Sequence, residues 1–390
     1  MEEKVIFITE NKMGIMKESE AKFLNSQHLK RYYNNMIDIK KKHAWKTEGT
    51  GAAFMGAHNP MGNFSEGNIS ARINGIAPVN EQEKIIYSIS IDEFSGIFIK
   101  NPIDDAELEG LVTSDHNVEF LSLDYNDKSE RIAVAVREHF LEEHIAVMTL
   151  KSGGYNVLTE GESIDRNPSW SKVKEGVIYY DSAGVALSNA VGYNDVGERA
   201  IFKLDLNEGE LQEIFHINKF DCIRPREDSK GNIYFIKRPY KENQRSSSSI
   251  KDVILIPFKL LKAVFSWMNV FTAKYTGDTL TTAGQNPAKG KQKSQEEIFI
   301  EGNLINAEKT LKENKSAGEK FPGVAPRSWE LMKLKVDGEM VCIKKGVIDF
   351  DINKNDEIVY SNGKYLVKLL DDSSEETLGK INLVNKIRAL

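Results

Sequence analysis

Two imidazoles and two carboxylates fall within six residues in "HFLEEH", where His139, Glu142, Glu143 and His144 stand close together. A zinc-hydrolase helix needs its histidines four apart with a glutamate between them, so that both ligands share one face. Here the spacing is five, and the segment reads as a solvated turn between two strands. "DFDINKNDE" (349–357) alternates Asp349, Asp351, Asn353 and Asn355 like the opening of a calcium loop. Such a loop requires Gly at its sixth position and Glu at its twelfth, which here are Lys354 and Tyr360. That stretch reads as an inner strand with its polar turn, and no metal site is expected.

Phosphate and acyl chemistry fare no better. "GQNPAKGKQ" (284–292) has one residue too many between its glycines for a phosphate loop and lacks the following Ser or Thr. No Gly-x-Ser-x-Gly elbow occurs. Cys222 and Cys342 sit in strand-like contexts as small core hydrophobes, and two cysteines make no disulfide framework. Asp115, His116 and Asn117 read equally as a capped turn or as the lining of a central pocket. No catalytic residue and no cofactor is assigned. A net charge of -6 disfavours nucleic acid, and the clusters "KKKH" (40–43) and "KGKQK" (289–293) read as solvated faces. The start "MEEKVIFITENK" carries acidic residues where a signal peptide needs positive charge, which points to the cytoplasm.

The elements that would hold any such residues are strands. Short runs rich in Val, Ile, Tyr and Phe fall into register as "EKIIYSI", "ERIAVAV", "EGVIYYD", "GNIYFIK" and "DEIVYSN". Ile86, Ile132, Ile178 and Ile233 then lie 46, 46 and 55 residues apart, with Ile358 and Ile6 as further equivalents. Periods of this size belong to four-stranded propeller blades. The segments 144–161, 200–216 and 330–346 each read as a third strand, a glycine turn and an outer strand. The fold class expected is therefore all-β, a six-bladed β-propeller of four-stranded blades filling 1–390. Mainly helical or flexible insertions are expected at 17–70 in blade 1 and 240–328 in blade 5.

"SGGYNVLTEGESIDRNPSWSKVKEGVIYY" (152–180) resembles the repeats of TolB-type propellers, the WD40-like class. Pro168, Trp170 and Ser171 match that pattern, while Lys172, Val173 and Lys174 replace its Pro-Asp-Gly turn. The resemblance implies six blades and a protein-binding platform, and it transfers no catalytic residue.

The blade 5 insertion holds the most apolar run, "DVILIPFKLLKAVFSWMNVF" (252–271). On a helix over 257–271, Lys259, Lys262, Ser266 and Asn269 gather within an arc of about 80° at 100° per residue. Phe258, Leu261, Phe265, Trp267, Met268 and Phe271 cover much of the rest. In a bilayer core two central lysines cost roughly 2.5–3.5 kcal/mol each, about offset by the large apolar residues at roughly 0.3–0.6 each, so it is topology that argues against a span: a crossing would split one blade across the membrane. The expectation is an amphipathic helix that folds back on the propeller, lies at a membrane surface, or docks on a partner protein. Its candidate contacts are Phe258, Lys259, Leu261, Lys262, Phe265, Trp267, Met268 and Phe271. The sequence thus points to a non-catalytic interaction scaffold, cytoplasmic or peripheral to a membrane. The alternative is a hydrolase or lyase working in a central pocket with residues such as His116 or Arg224.

Overall fold

The structure is a computed structural model describing residues 4–10, 12–35, 38, 71–79, 82–91, 94–104, 107–139, 142–187, 194–240, 297–300, 303–370 and 374–390. The chain divides into two units, residues 1–240 with 310–390, and residues 241–309.

In the larger unit the described strands group in fours. Sheet I orders β27 (Val384–Ala389), β1 (Lys4–Thr9), β2 (Lys12–Lys17) and β3 (Glu20–Leu24). Sheet II runs β4 (Ala71–Val79), β5 (Lys84–Ile91), β6 (Phe94–Lys100) and β7 (Gly110–Asp115). A nine-stranded sheet follows, built from two stacks that meet at a single parallel pairing, Glu143 with Ile164. Its first stack, sheet III, is β8 (Glu119–Asn126), β9 (Arg131–His139), β10 (Glu142–Thr149) and β11 (Tyr155–Val157). Its second, sheet IV, is β12 (Ser163–Trp170), β13 (Val177–Leu187), β15 (Ala200–Asp205) and β16 (Glu210–Phe215). The short β14 (Asn194–Val196) pairs with the end of β13.

Sheet V is β17 (Phe220–Glu227), β18 (Ile233–Pro239), β21 (Glu330–Leu334) and β22 (Met340–Lys345). Sheet VI is β23 (Asp349–Ile352), β24 (Ile358–Ser361), β25 (Tyr365–Leu369) and β26 (Glu375–Lys380). Neighbours within each stack are antiparallel. Ile6, Ile86, Ile132, Ile178, Ile233 and Ile358, aligned from sequence, all occupy the second strand of their stacks and are all buried.

β18 pairs directly with β21 although residues 240–329 lie between them. Within the smaller unit, β19 (Glu297–Ile300) and β20 (Asn303–Asn306) form a hairpin, and helix α1 (Ala307–Ser316) begins there and continues from Thr310 as part of the larger unit. Asn306 Oδ1 caps α1 by accepting from Lys309 N at 2.8 Å. Of the segment 17–70, residues 20–24 form β3 and residues 27–35 are helical. The predicted helix 257–271, with all eight of its candidate contact residues, lies outside the described residues. Among the described residues, no helix is long and apolar enough to cross a membrane.

The second strands read as unbroken apolar runs because both of their faces are covered. Ile85 enters the cluster shared by sheets I and II with Ile8 and Phe98, whereas Ile86 enters that of sheets II and III with Phe120 and Ile132. Sheets III and IV close over Ala135, Ile145, Trp170 and Tyr180, and sheets VI and I over Val359, Leu366, Phe7 and Ile387. The first strands also pack on one another in chain order. β4 meets β8, then β12, β17, β23 and β27 follow, and β27 returns to β4. This contact series returns to the strand it started from, and the last strand of the chain lies in the sheet that holds the first.

Candidate functional site

The first strands β4, β8, β12, β17, β23 and β27 pack on one another, and polar side chains meet between them. Most of these strands are bulged at mid-length. Their registers shift between Ile73 and Gly75, Phe120 and Leu123, Arg166 and Ser169, and Ile223 and Arg226. Asn167 and Arg224 take the extra position with φ of 51° and 59°. A bulge leaves ladder groups unpaired and re-aims side chains, and neighbouring strands use those groups.

The resulting links run all the way round. Asn74 Nδ2 donates to Phe120 O at 3.0 Å. Asn167 N donates to Ser122 Oγ at 2.9 Å, and Trp170 N to Asp124 Oδ2 at 2.9 Å. Asp181 Oδ2 accepts from Asn167 Nδ2 at 2.7 Å and from Arg224 N at 2.9 Å, while its Oδ1 accepts from Arg199 at 2.6 Å. Arg224 Nη1 reaches sheet VI, at 3.0 Å from Ile348 O and 2.8 Å from Asp349 Oδ1. Ile387 N donates to Asp349 Oδ2 at 2.8 Å and Ala389 N to Asp351 Oδ2 at 2.9 Å. Lys386 Nζ then donates to Asn74 O and closes the circuit.

Arg226 occupies the middle of this circuit. It stands on sheet V, yet its guanidinium lies 3.3 Å from Asp124 of sheet III and 3.5 Å from Asp351 of sheet VI. Sheets III and VI are opposite one another in the ring order, so the cation bridges the axis. Only 7% of Arg226 is exposed. Burial pulls its pKa down, but Asp124, Asp351 and Asp349 outweigh that and raise it, so it stays charged. Near the turns joining first to second strands, Lys172 Nζ bonds Ile352 O at 2.9 Å and Asn353 O at 3.1 Å. That contact links sheet IV to sheet VI past sheet V. Beside it Glu227 accepts from Ser171 Oγ at 2.5 Å, Lys172 N at 2.8 Å and Tyr179 Oη at 3.0 Å.

A second cluster lies where the first strands begin. Glu143, 1% exposed, holds Arg137 at 2.5 Å and pairs with Arg166. Glu119 holds Arg137 at 2.6 Å and Arg72 at 3.2 Å. Burial works against the Glu143 charge, but the Arg166 and Arg137 guanidiniums win and hold its carboxyl below the usual range. Asp165 accepts from Thr159 and Ser182 hydroxyls at 2.6 Å each, with His144 Nδ1 at 3.7 Å.

These groups bind charge and position backbone. Carboxylates held by guanidiniums are poor bases, and arginines give up no proton near neutrality. Cys222 is packed between sheets IV and V, where burial and Asp221 push its thiol up to about 12, so it is no nucleophile. Of the pocket candidates, Arg224 does face the axis, whereas His116 is exposed in the loop after β7 against the Phe94 ring. Asp115 caps that loop by accepting from Asn117 N at 2.7 Å, the turn reading made from sequence. Asp349 and Asp351 sit on an inner strand and Asn353 closes its turn, accepting from Asn355 N and Glu357 N at 2.9 Å. "HFLEEH" spans the end of β9 and the start of β10. Among the described residues, no group of three or more His, Cys, Asp or Glu could hold a metal ion. Sequence reasoning missed Asp124, Asp181 and Arg226. Their one signal was a charged residue inside an otherwise apolar, β-rich run.

No family model matches this chain, and no curated protein sequence matches it. Solved structures similar to it include TolB from Acinetobacter baumannii, with a TM-score of 0.48 and 9% identity over 99% of this chain. The tricorn protease is similar at a TM-score of 0.45 and 12% identity, again over 99% of this chain. A protein from Lactobacillus plantarum is similar at a TM-score of 0.44 and 9% identity, with all of both chains covered. The chain spans 65% of that TolB chain and 34% of the tricorn protease chain.

Proposed function

We propose that this chain is a six-bladed β-propeller of the TolB-like kind that serves as a non-catalytic interaction scaffold. The observation that carries this reading is Arg226, held across the axis between Asp124 and Asp351. In a propeller enzyme the axis is where loop residues converge on substrate. Here that depth is filled by buried charges that neutralise one another. Sheets I to VI supply the six blades, and pairing of β27 with β1 closes the ring.

In this reading the contacts to partners come from the two long segments. β3 and β18 finish at the same end of the ring, because the first strands run in a common direction and their partners alternate. The segments following Leu24 and Pro239 therefore start from one face. The helix expected over 257–271 is the docking element, with Phe258, Leu261, Phe265, Trp267, Met268 and Phe271 as its apolar contacts. Lys259 and Lys262 are its polar edge. The partner is a protein, and a peripheral membrane contact of a cytoplasmic chain is the variant in which Trp267 lies at the headgroups.

Excising 252–271, with a Gly/Ser linker of equal length in its place, tests this directly and leaves residues 310–328 of the larger unit intact. A folded monomer that no longer retains the partner captured by the full chain is the expected result. Capture unchanged by the excision would remove the docking role. Liposome co-sedimentation that weakens on Trp267→Ala would select the membrane variant. Turnover in a hydrolase and lyase screen, lost on Arg224→Ala in a folded protein, would replace the scaffold reading with the enzyme one.

A further inference from the structure

Between sheets I and II lies a cleft of about 340 Å³, open to solvent along one side. The side chains of sheet I that face sheet II change character in three rows across β1, β2 and β3. Deepest stand Ile8, Met13 and Leu24, which pack with Tyr87 and Phe98 of sheet II. Next come Ile6, Ile15 and Lys22, and outermost Lys4, Lys17 and Glu20. The cleft opens over the outer rows, with Ile15 at its floor. Pro102 and Ile103, in the loop after β6, form the opposite wall. Ile103 is 53% exposed, an apolar side chain with one flank on the cleft and no cover over the other.

The cleft is apolar inside and cationic at its mouth. Lys4 and Lys17 stand directly opposite each other in the β1–β2 ladder, where like charges are destabilising. Glu20 faces Lys17 from β3, and Glu18 lies 3.2 Å from its ammonium. Both carboxylates are exposed, and ion pairs this open to water contribute little. Three ammoniums against two carboxylates leave the lining net positive. Lys22 donates to Ile103 O at 2.9 Å, which ties β3 to the opposite wall and keeps its charge at the cleft. A carboxylate placed between Lys4 and Lys17 turns one repulsion into two attractions. Ligand pockets span roughly 300–1,000 Å³, so this one suits a short apolar chain.

We propose that the cleft between sheets I and II binds a small amphipathic carboxylate, a short apolar chain with one anionic head. The chain lies on Ile15, Pro102 and Ile103, and removing their exposed apolar surface from water supplies the main attraction. The head sits at the mouth between the Lys4 and Lys17 ammoniums, which select it over a neutral or cationic group of the same length. This site is independent of the scaffold reading, because it requires neither a protein partner nor residues 252–271.

The full chain, labelled at its isoleucine methyls, is titrated with octanoate at constant ionic strength, and with octylammonium and acetate as separate arms. Calorimetry gives the affinity, and the Ile15 and Ile103 methyl signals report where the ligand sits. The expected result is saturable octanoate binding that shifts both signals, with octylammonium and acetate each far weaker. Changing Lys4→Gln and Lys17→Gln together should weaken octanoate by about fivefold or more. Ile103→Asp should weaken it as well, through the wall instead of the mouth. Both variants alter side chains at the open edge of the cleft, and a single thermal transition verifies that they fold. Octanoate binding that does not saturate, or that leaves the two methyl signals in place, overturns the site. So does equal affinity for octylammonium or acetate, or undiminished binding by the folded double lysine variant.

Discussion

At the scale of single residues, the axis is an exercise in charge pairing. Arg226 sits between two aspartates, so removing its head leaves Asp124 and Asp351 buried and facing each other. Breaking a buried pair from one side typically costs about 3–5 kcal/mol. We expect Arg226→Met to lose stability of that order in urea unfolding, and Asp124→Asn made in the same chain to recover part of it. A loss below about 1 kcal/mol would show that the plug contributes little. Glu143 supplies the acid dependence. Its carboxyl titrates lower in the folded protein than unfolded, where the ordinary value is 4.5. The stabilisation is therefore complete above that value and is lost as pH falls through the lower folded one. The midpoint of thermal unfolding should drop more steeply between pH 5 and pH 3 in the wild type than in Glu143→Gln.

At the scale of elements, the bulged first strand is the recurrent device. It frees backbone groups for the neighbouring sheet, and it needs the strands to approach closely. Gly75, at the bulge of β4, shows how closely. A Cβ built there would lie 2.6 Å from Leu121 O and 3.1 Å from Leu123 N, both backbone atoms of β8. Backbone cannot swing aside as a side chain can, so Gly75→Ala must push β4 from β8. Overpacking of this kind costs about 1–3 kcal/mol. A drop in the unfolding midpoint of this variant, without loss of strand signal in circular dichroism, is the expected outcome. Wild-type stability would mean that β4 and β8 have room to separate. Much of this scale was legible in the sequence. The second strands declared themselves because both their faces are apolar, and Trp170 marked the end of a first strand because it fills the space between sheets III and IV. The bulges were not legible: Arg224 has no local reason to adopt positive φ, and Asn167, a residue type that tolerates it, gives no sign in the sequence of doing so in mid-strand.

At the scale of the molecule, residues 384–390 tie sheet I to sheet VI. β27 pairs with β1, and Ile387 and Val384 fill the cluster between sheets VI and I. The ring links also pass through Ile387 N, Ala389 N and Lys386. Deleting 384–390 removes the innermost strand of sheet I and both of its neighbours' contacts. Loss of a cooperative unfolding transition is expected in calorimetry, and a truncated chain that still melts in one sharp step would show that the ring needs no closing strand.

The sequence by itself determined the repeat, because strand alternation and apolar spacing are local patterns that survive without a fold. It also made visible that the strand pattern breaks off after Pro239 and resumes at Trp329, on either side of the pairing between β18 and β21. Only the tertiary structure decided what occupies the axis. Asp124, Arg226, Asp351 and Arg388 stand on four different sheets, and the nearest two along the chain are 37 positions apart. Charges that far apart acquire meaning only when the ring brings them within a few ångströms in a place water scarcely enters. There pairing or the lack of it, not residue type, sets what each can do.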